Sequence, residues 1–575
     1  MKITRIYIKN YKSIEKLDIN PSAKLNVFIG ENGTGKSNIF HAINWLLGPN
    51  YPTFNATTKQ DHYLGNDNNK IHIQLYFEDD HLLDLDESKP SYNFSIKQHE
   101  VNIGASQSSR QQFCAAYVGV EREIADYLPS NRWSLLGRIL LDVNKRFLEE
   151  TVEGEEGELK SEKLRRELDR IRDELLFSVT DDSGDNIMDK LVGILQKESA
   201  SQMNRREEDF RINFNLYDPW NFYRMLQVLV NEPELNLTFQ ASQMGTGAQA
   251  AITIAILRAY SEIKIGGCNP IFIDEPELLL HPQAQRNFYK LLRKLAEENE
   301  IQIFYTSHSP YLLSMENFDE IFVVRKSPQQ GTYVRSADIC NFAEDLKIRE
   351  GICSDDATLK LHYKNAYEQT ADSLSALEGF FAKKVILIEG ESEALVLPYF
   401  FEKIGFDYVK EKITIVKCGG KNELDRFYRL YSEFGIPCYV LFDGDKHNTV
   451  GEALEHSKKA NNELLDILGE TEIRDFPDNT VHENYLGFEY DFNYALQLAG
   501  FEGVYNENHP EERSPKGLNL FLKIKPQIES SAVEIPEWIA LVKDSVLNLR
   551  EEASSVLKKP PEQEEPSDLE DLPFD

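Results

Sequence analysis

The stretch Leu25-Asn26-Val27-Phe28-Ile29-Gly30-Glu31-Asn32-Gly33-Thr34-Gly35-Lys36-Ser37 decides the fold of this chain. Its first five residues read as a buried strand that stops at Gly30, and Gly30–Ser37 matches Gly-x-x-x-x-Gly-Lys-[Ser/Thr]. The apolar stripe Ile39, Phe40, Ile43 and Leu47, stopped by Gly48-Pro49, predicts a helix starting at Lys36. Strand, glycine loop and helix N-terminus in that order form a cradle for phosphates. Backbone N–H groups across Gly30, Asn32, Gly33, Thr34 and Gly35 wrap the phosphates, and Lys36 reaches the β- and γ-phosphates of ATP. The Ser37 hydroxyl takes a coordination position on Mg²⁺.

Upstream of this loop, Ile3, Ile6, Ile8, Leu17 and Ile19 alternate in strand fashion, a short meander leading into the buried strand. Downstream, strand-like segments recur near 71–77 and 92–97. Much later, Ile271-Phe272-Ile273-Asp274-Glu275-Pro276 is an apolar strand running into two adjacent carboxylates. Asp274 suits the Mg²⁺ water shell, and Glu275 is placed to orient or deprotonate an attacking water. The next strand, Phe304-Tyr305-Thr306-Ser307, ends at His308, which reads as a γ-phosphate contact.

A second α/β unit starts at Lys384, with apolar strands Val385–Ile388, Ile413–Val416 and Cys438–Phe442 separated by helical stretches. This rhythm predicts a parallel sheet with its chemistry at the carboxyl ends of the strands. The first strand runs into Glu389-Gly390-Glu391-Ser392-Glu393, and the third into Asp443-Gly444-Asp445. Strands ending side by side would gather Glu389, Asp443 and Asp445. Like charges that close require a cation between them, and Mg²⁺ or Mn²⁺ held by such oxygens activates water against a phosphodiester.

The organisation expected from these signals is an ATPase part at 1–144, a helical insertion at 145–210 and a second ATPase part at 211–340. A connector at 341–380 leads to a metal-carboxylate domain at 381–530, a helix at 531–558 and an acidic tail at 559–575. Within the insertion, Leu164, Leu168, Ile171 and Leu175 are spaced as a helix face, and a second helix runs through Leu191, Ile194 and Leu195. Either a hairpin packed on its own domain or a dimer contact accounts for that pattern. The tail carries seven acidic residues between Pro560 and Asp575 and no basic one. It reads either as a solubilising end or as a mimic of the acidic tip of single-stranded-DNA-binding proteins.

Composition limits the classes. The 575 residues, 41% hydrophobic and 28% charged, are those of a multi-domain globular chain. No apolar run approaches a membrane span, and the start lacks a signal-peptide core, so no membrane association is expected. Six scattered cysteines without a Cys-x-x-Cys pair argue against a zinc ribbon or a disulfide framework, which makes a reducing cytoplasm the expected compartment. The net charge of −33 opposes nucleic-acid binding by the surface at large, and leaves it to bound metal and a few placed cations.

The first set of motifs resembles the ABC-type ATPases of the SMC and RecF kind. Gly245-Thr246-Gly247-Ala248-Gln249, about twenty-five residues before Asp274, stands as a variant of their Leu-Ser-Gly-Gly-Gln signature. The resemblance implies that Thr246, Gly247 and Gln249 of one subunit close over the nucleotide of another, hence a homodimer or higher oligomer. The second set resembles a Toprim domain. Both in this order resemble the OLD (overcoming-lysogenization-defect) nucleases, which include the nuclease subunit of the Gabija anti-phage system, over nearly the whole chain from Ile3 to about Lys525. Carried over by position, the resemblance makes Glu389, Glu393, Asp443 and Asp445 metal ligands and adds Glu489 and Asp491. It also implies a late lysine at the scissile phosphate, matched by Lys516 with Lys523 as a rival.

The function this implies is ATP-governed, metal-dependent cutting or nicking of double-stranded DNA in anti-phage defence or DNA processing, in some members beside a UvrD-like helicase. The competing reading is an ATP-gated DNA scaffold with a non-catalytic Toprim domain. A primase is disfavoured by the missing cysteine-rich zinc element, and a topoisomerase by the lack of a segment for a tyrosine-bearing gate.

Overall fold

A computed structural model describes residues 1–550 apart from 49, 90–92, 107–108, 111–112, 114, 119–134, 153–157, 172–173, 175–177, 204–205, 207–218, 227–228, 233–236, 241–251, 253–254, 257–269, 279, 299, 338–373, 448–450, 471–473 and 506–513. The Gly245–Gln249 segment with Thr246, Gly247 and Gln249, Leu175, most of the 341–380 connector and the acidic tail lie outside the described residues.

The N-terminal meander is β1 (Ile3–Tyr11), β2 (Ile14–Ile19) and β3 (Leu25–Ile29), followed by helix α1 (Lys36–Leu47), as the apolar spacing predicts. Strands β4 (His72–Phe77), β5 (His81–Asp86), β6 (Phe94–Gln98), β7 (Val101–Asn102) and β8 (Ala116–Val118) follow. Helices α2 (Leu135–Glu149), α3 (Lys160–Ile171) and α4 (Ile187–Met203) come next. On α4, Ile187, Leu191, Ile194 and Leu195 are all exposed. A short helix α5 (Trp220–Arg224) and the hairpin β9 (Leu229–Glu232)–β10 (Leu237–Gln240) lead back to β11 (Ile271–Ile273), α6 (Pro282–Glu298), β12 (Ile303–Ser307), β13 (Ile321–Ser327) and β14 (Gly331–Arg335).

Twelve of these strands form one mixed sheet in the order β7-β6-β5-β4-β1-β2-β14-β13-β3-β12-β11-β8. The five strands at one end, β13, β3, β12, β11 and β8, run parallel, and the meander beyond them is antiparallel. β3 is buried at all five positions because both of its faces are covered. Phe28 points to one face, where it stacks on Phe322 at 4.9 Å and meets Phe40 of α1 edge-on at 5.5 Å. Leu25, Val27 and Ile29 point to the other face, with Leu291, Leu292 and Leu295 of α6. Helices on both faces of a parallel core leave the carboxyl ends of β3, β11 and β12 at one edge, and that edge is the nucleotide site.

The second sheet has four parallel strands in the order β16-β15-β17-β18: β15 (Lys384–Ile388), β16 (Ile413–Lys417), β17 (Cys438–Asp443) and β18 (Tyr485–Phe488). Alternate residues of β15 serve opposite faces. Ile386 and Ile388 pack with Val396 and Phe400 of α8 (Glu391–Lys403), and with Leu520 and Val542. Val385 and Leu387 pack with Ala376 and Leu377 of α7 (Leu374–Gly379), Phe427 and Tyr431 of α9 (Lys421–Glu433) and Leu464 of α10 (Glu452–Ile467). The remaining helices are α11 (Phe492–Leu498), α12 (Leu518–Glu529) and α13 (Glu537–Asn548).

The second apolar layer is continuous with the core under β3, β11 and β12: Leu25, Ile303 and Phe318 belong to the same buried cluster as Val385, Tyr431 and Val440. The seam between the two sheets also carries an ion pair, Glu31 of the glycine loop with Lys412 at 2.7 Å. Beside it, Arg325 donates to the Ala382 carbonyl at 3.3 Å, at a cavity of about 330 Å³.

Candidate active sites

The glycine loop is shaped by what surrounds it. Gly35, the residue before α1, holds φ +108°, where an added Cβ would lie 2.3 Å from the Thr332 hydroxyl and 2.7 Å from that of Ser13. Thr332 in turn donates to the Thr34 carbonyl at 2.6 Å, and the Thr34 hydroxyl donates to the Glu31 carbonyl at 2.9 Å. Lys36 is nearly enclosed, and its ammonium donates to the carbonyls of Gly30 at 2.9 Å and Glu31 at 3.1 Å. Burial pulls its pKa down, while Glu275, Asp274 and Glu277 hold it up.

β11 and β12 pair in parallel with Ile273 opposite Tyr305, so their exits lie side by side. Thr306, fully buried, bridges them: its hydroxyl donates to the Asp274 carboxylate and accepts the Glu275 backbone N–H at 2.9 Å. Glu275 sits at φ +46°, a left-handed conformation rare for a non-glycine residue and characteristic of sites held by their surroundings. Its carboxylate lies 3.7 Å from Nε2 of His308. Burial, assisted by Lys36, lowers the pKa of His308 and favours the neutral imidazole. Lys36, Asp274, Glu275 and His308 therefore meet, as the sequence predicts. Sequence reasoning missed Thr306 and Glu277, whose roles come from contacts between neighbouring strand exits.

The second site lies at the carboxyl ends of β15, β17 and β18. Register pairs Ile388 with Leu441 and Asp443 with Phe488, which places Glu389 next to Asp443. Oε1 of Glu389 accepts the Asp443 backbone N–H at 2.8 Å, and Oδ1 of Asp443 accepts the Phe492 N–H at 2.8 Å. Gly444 admits the close approach of β18: a Cβ there would lie 2.6 Å from the Glu489 carbonyl and 2.7 Å from that of Phe488. Glu393, one turn into α8, is 6% exposed, and Asp491 caps α11 by accepting the Tyr494 N–H at 2.7 Å. These four and Asp445 line one cleft of about 540 Å³.

The electrostatics of that cleft match a cation-binding donor set. Burial, then repulsion from Glu389, Glu393, Asp491 and Asp445, pushes the Asp443 carboxyl well above its ordinary range. Glu389 is pushed up to about 7 by burial, against the pull of Lys421. Burial also raises Glu393 and Asp491, and Lys516 opposes both shifts. Hard oxygen donors that repel one another fit a divalent cation. In this conformation each of Glu389, Asp443 and Asp491 has an oxygen turned to a backbone N–H. No three acidic, histidine or cysteine side chains among the described residues converge on one point.

Other expectations separate here. Glu489 does not face the cleft: its carboxylate pairs with Lys446 outside it. Lys516 lies at the mouth of the cleft, anchored by the N–H of the next residue, Gly517, which donates to the Ser392 hydroxyl at 3.1 Å. Lys523 instead donates to the Gly503 carbonyl at 2.6 Å. Two residues went unread in the sequence. Lys421, next to the cleft-lining Gly419-Gly420 turn, pairs with Asp445 at 2.8 Å from the start of α9, and His447, which lines the cleft, follows the Asp443-Gly444-Asp445 triplet.

Comparison with known proteins places this geometry. Residues 1–117 and 80–313 match the family described as "AAA ATPase domain". Residues 380–445 match "Overcoming lysogenization defect protein-like, TOPRIM domain". The chain is 25% identical over 469 residues to the OLD nuclease of Thermus scotoductus, covering 77% of this chain and 82% of that protein. It is 22% identical over 507 residues to endonuclease GajA of Bacillus cereus, covering 82% and 79%. With the Old nuclease of Escherichia phage P2 it shares 29% identity over 214 residues, 36% of this chain and 33% of the relative. One family model spans the glycine loop, Asp274 and His308 and the other spans Glu389 to Asp445, so the chain belongs to the AAA ATPase domain family and carries a segment similar to the OLD-like Toprim domain.

Proposed function

We propose that the chain is an ATP-hydrolysing, divalent-metal-dependent endonuclease that cuts or nicks double-stranded DNA. The observation that carries this reading is that Glu389, Glu393, Asp443, Asp445 and Asp491 line one cleft, in a chain that also assembles a complete phosphate loop. The scaffold alternative requires a depleted acid set, and this set is intact.

In the ATPase half, the loop N–H groups and Lys36 bind the phosphates, and Ser37 and Asp274 would hold Mg²⁺. Glu275 orients the attacking water, and the neutral His308 donates its imidazole N–H to a γ-phosphate oxygen. Signature residues Thr246, Gly247 and Gln249 of a second copy close the site, which makes self-association part of the proposal.

In the Toprim half, a divalent cation supplies Lewis acidity and neutralises the phosphodiester charge. Glu389, Asp443, Asp445, Glu393 and Asp491 hold it. The parallel strand ends keep these acids on one wall, and Lys516 steadies a non-bridging oxygen of the scissile phosphate from the cleft mouth. Mg²⁺ and Mn²⁺ both suit these oxygens. Likeness to proteins named OLD nuclease and endonuclease GajA supports the nuclease reading. A defence role beside a UvrD-like helicase is part of the proposal. Two reduced cysteines, Cys418 and Cys438, suit the cytoplasm.

Supercoiled plasmid incubated with Mg²⁺ or Mn²⁺, with and without ATP, tests the reading beside Glu389→Ala and Lys36→Ala. Glu389→Ala abolishes cutting, and Lys36→Ala abolishes ATP hydrolysis while leaving the metal cleft intact. Cutting that persists in Glu389→Ala overturns the assignment.

A further inference from the structure

The segment Asp274-Glu275-Pro276-Glu277 ends in a third carboxylate that the nucleotide chemistry above leaves unused. Glu277 lies four residues beyond the end of β11 and reaches across to the exit of the neighbouring strand. Its Oε1 accepts the backbone N–H of His308 at 2.5 Å. Its Oε2 is enclosed and has no hydrogen-bond partner among the described residues. β12 ends at Ser307, so the His308 N–H lies beyond the strand ladder and is taken up by Glu277. The imidazole itself is less firmly held: its Nε2 is enclosed, lies 3.7 Å from Glu275 and makes no hydrogen bond there.

We propose that Glu277 is a positioning residue for ATP hydrolysis: by taking the His308 main-chain N–H it fixes the turn after β12 so that the imidazole stands beside Glu275. The proposal rests on the nucleotide-site reading and extends it to a residue outside the recognised motifs.

Three observations support it. The bond joins the loops that carry the two water- and phosphate-facing groups, so it sets their spacing directly. A carboxylate acceptor makes a shorter and stronger bond to an N–H than a neutral acceptor does, which suits a joint that must not drift. The His308 N–H has left the sheet, and the structure offers it this carboxylate in place of water, so deleting the carboxylate strands a donor in a closed space. Misplacement of a reacting group by about 1 Å costs on the order of 100-fold in rate, which is the scale at which such a joint matters.

The test uses the full-length chain and steady-state ATP hydrolysis. Glu277→Ala lowers kcat by about 10- to 100-fold while KM for ATP stays within about 3-fold, because the phosphate loop is untouched. Glu277→Gln keeps an oxygen in reach of the His308 N–H and retains at least about a third of kcat. Glu277→Asp keeps the charge but withdraws it by a methylene. It falls with the alanine variant, and it decides the matter should Glu277→Ala fail to fold. In a His308→Ala background, Glu277→Ala adds less than about 3-fold, since a residue that acts through His308 has nothing left to position. Lys36-dependent hydrolysis that is unaffected by Glu277→Ala or Glu277→Asp overturns the proposal alone. So does an equal loss in Glu277→Gln, or a full multiplicative loss in the His308→Ala background. Absence of Lys36-dependent hydrolysis in the parent chain overturns the nucleotide-site reading with it.

Discussion

Replacing Glu389 by glutamine removes one charge from the Toprim cleft while leaving an oxygen to accept the Asp443 N–H. The carboxyl sits at about 7 against an ordinary 4.5, with burial as the main cause. That gap corresponds to about 3 kcal/mol. The folded pKa lies above the unfolded one, so well below pH 4.5 the group is protonated in both states and exerts no penalty. Between 4.5 and about 7 the folded chain holds a proton that the unfolded chain has released, and stability falls as pH rises. Above about 7 the full penalty applies.

In chelator, Glu389→Gln is therefore more stable than the parent at about pH 8, by up to about 3 kcal/mol, and the two converge as the pH falls below about 4. Divalent metal reverses the order, because it relieves the parent's repulsion and finds fewer ligands in the variant. Urea-unfolding midpoints of both proteins at the two pH values, with EDTA and with saturating Mn²⁺, measure this. A difference between parent and variant that does not change with pH, or equal stabilisation of both by Mn²⁺, would refute the reasoning.

Two further outcomes follow from contacts. Gly444→Ala places a methyl against two backbone carbonyls of the β18 exit and the ring of Pro477, which cannot move aside without parting β17 from β18. It costs roughly 1–3 kcal/mol and weakens Mn²⁺ uptake, read by thermal melting and calorimetry. Lys412→Glu sets a like charge beside Glu31 at a pair that is about half exposed. Its cost stays below about 1 kcal/mol and vanishes in high salt, seen as converging melting temperatures.

The parts legible in the sequence are those where a local pattern forces the geometry. The glycine loop before α1 admits few backbones, and an apolar strand ending in acid announces itself at Asp274, Glu389 and Asp443. What was hidden depends on partners distant in the chain. Lys421 lies 24 residues from the Asp445 it pairs with, and nothing local marks the bond. Strand β5 carries the buried Asp84, which a hydrophobic pattern rejects. Its charge is met by His72 at 2.8 Å and Lys89 at 2.6 Å, contacts that exist only after folding. Glu489 shows the converse. It follows β18 as Glu389 follows β15, yet its side chain turns outward to Lys446. Position in a pattern fixes where a backbone goes, and the rotamer is left to the neighbours.

The apolar layer that runs unbroken from Leu25 under the nucleotide site to Val440 under the metal cleft has a practical consequence. Each site has one apolar layer of its own and shares this other one. Expressing the C-terminal half alone would lay bare apolar residues of α7 and α9 that belong to the shared layer, inviting aggregation. Heat that loosens one centre undermines the other, so the two activities should be lost together on warming even though their chemistries have no step in common.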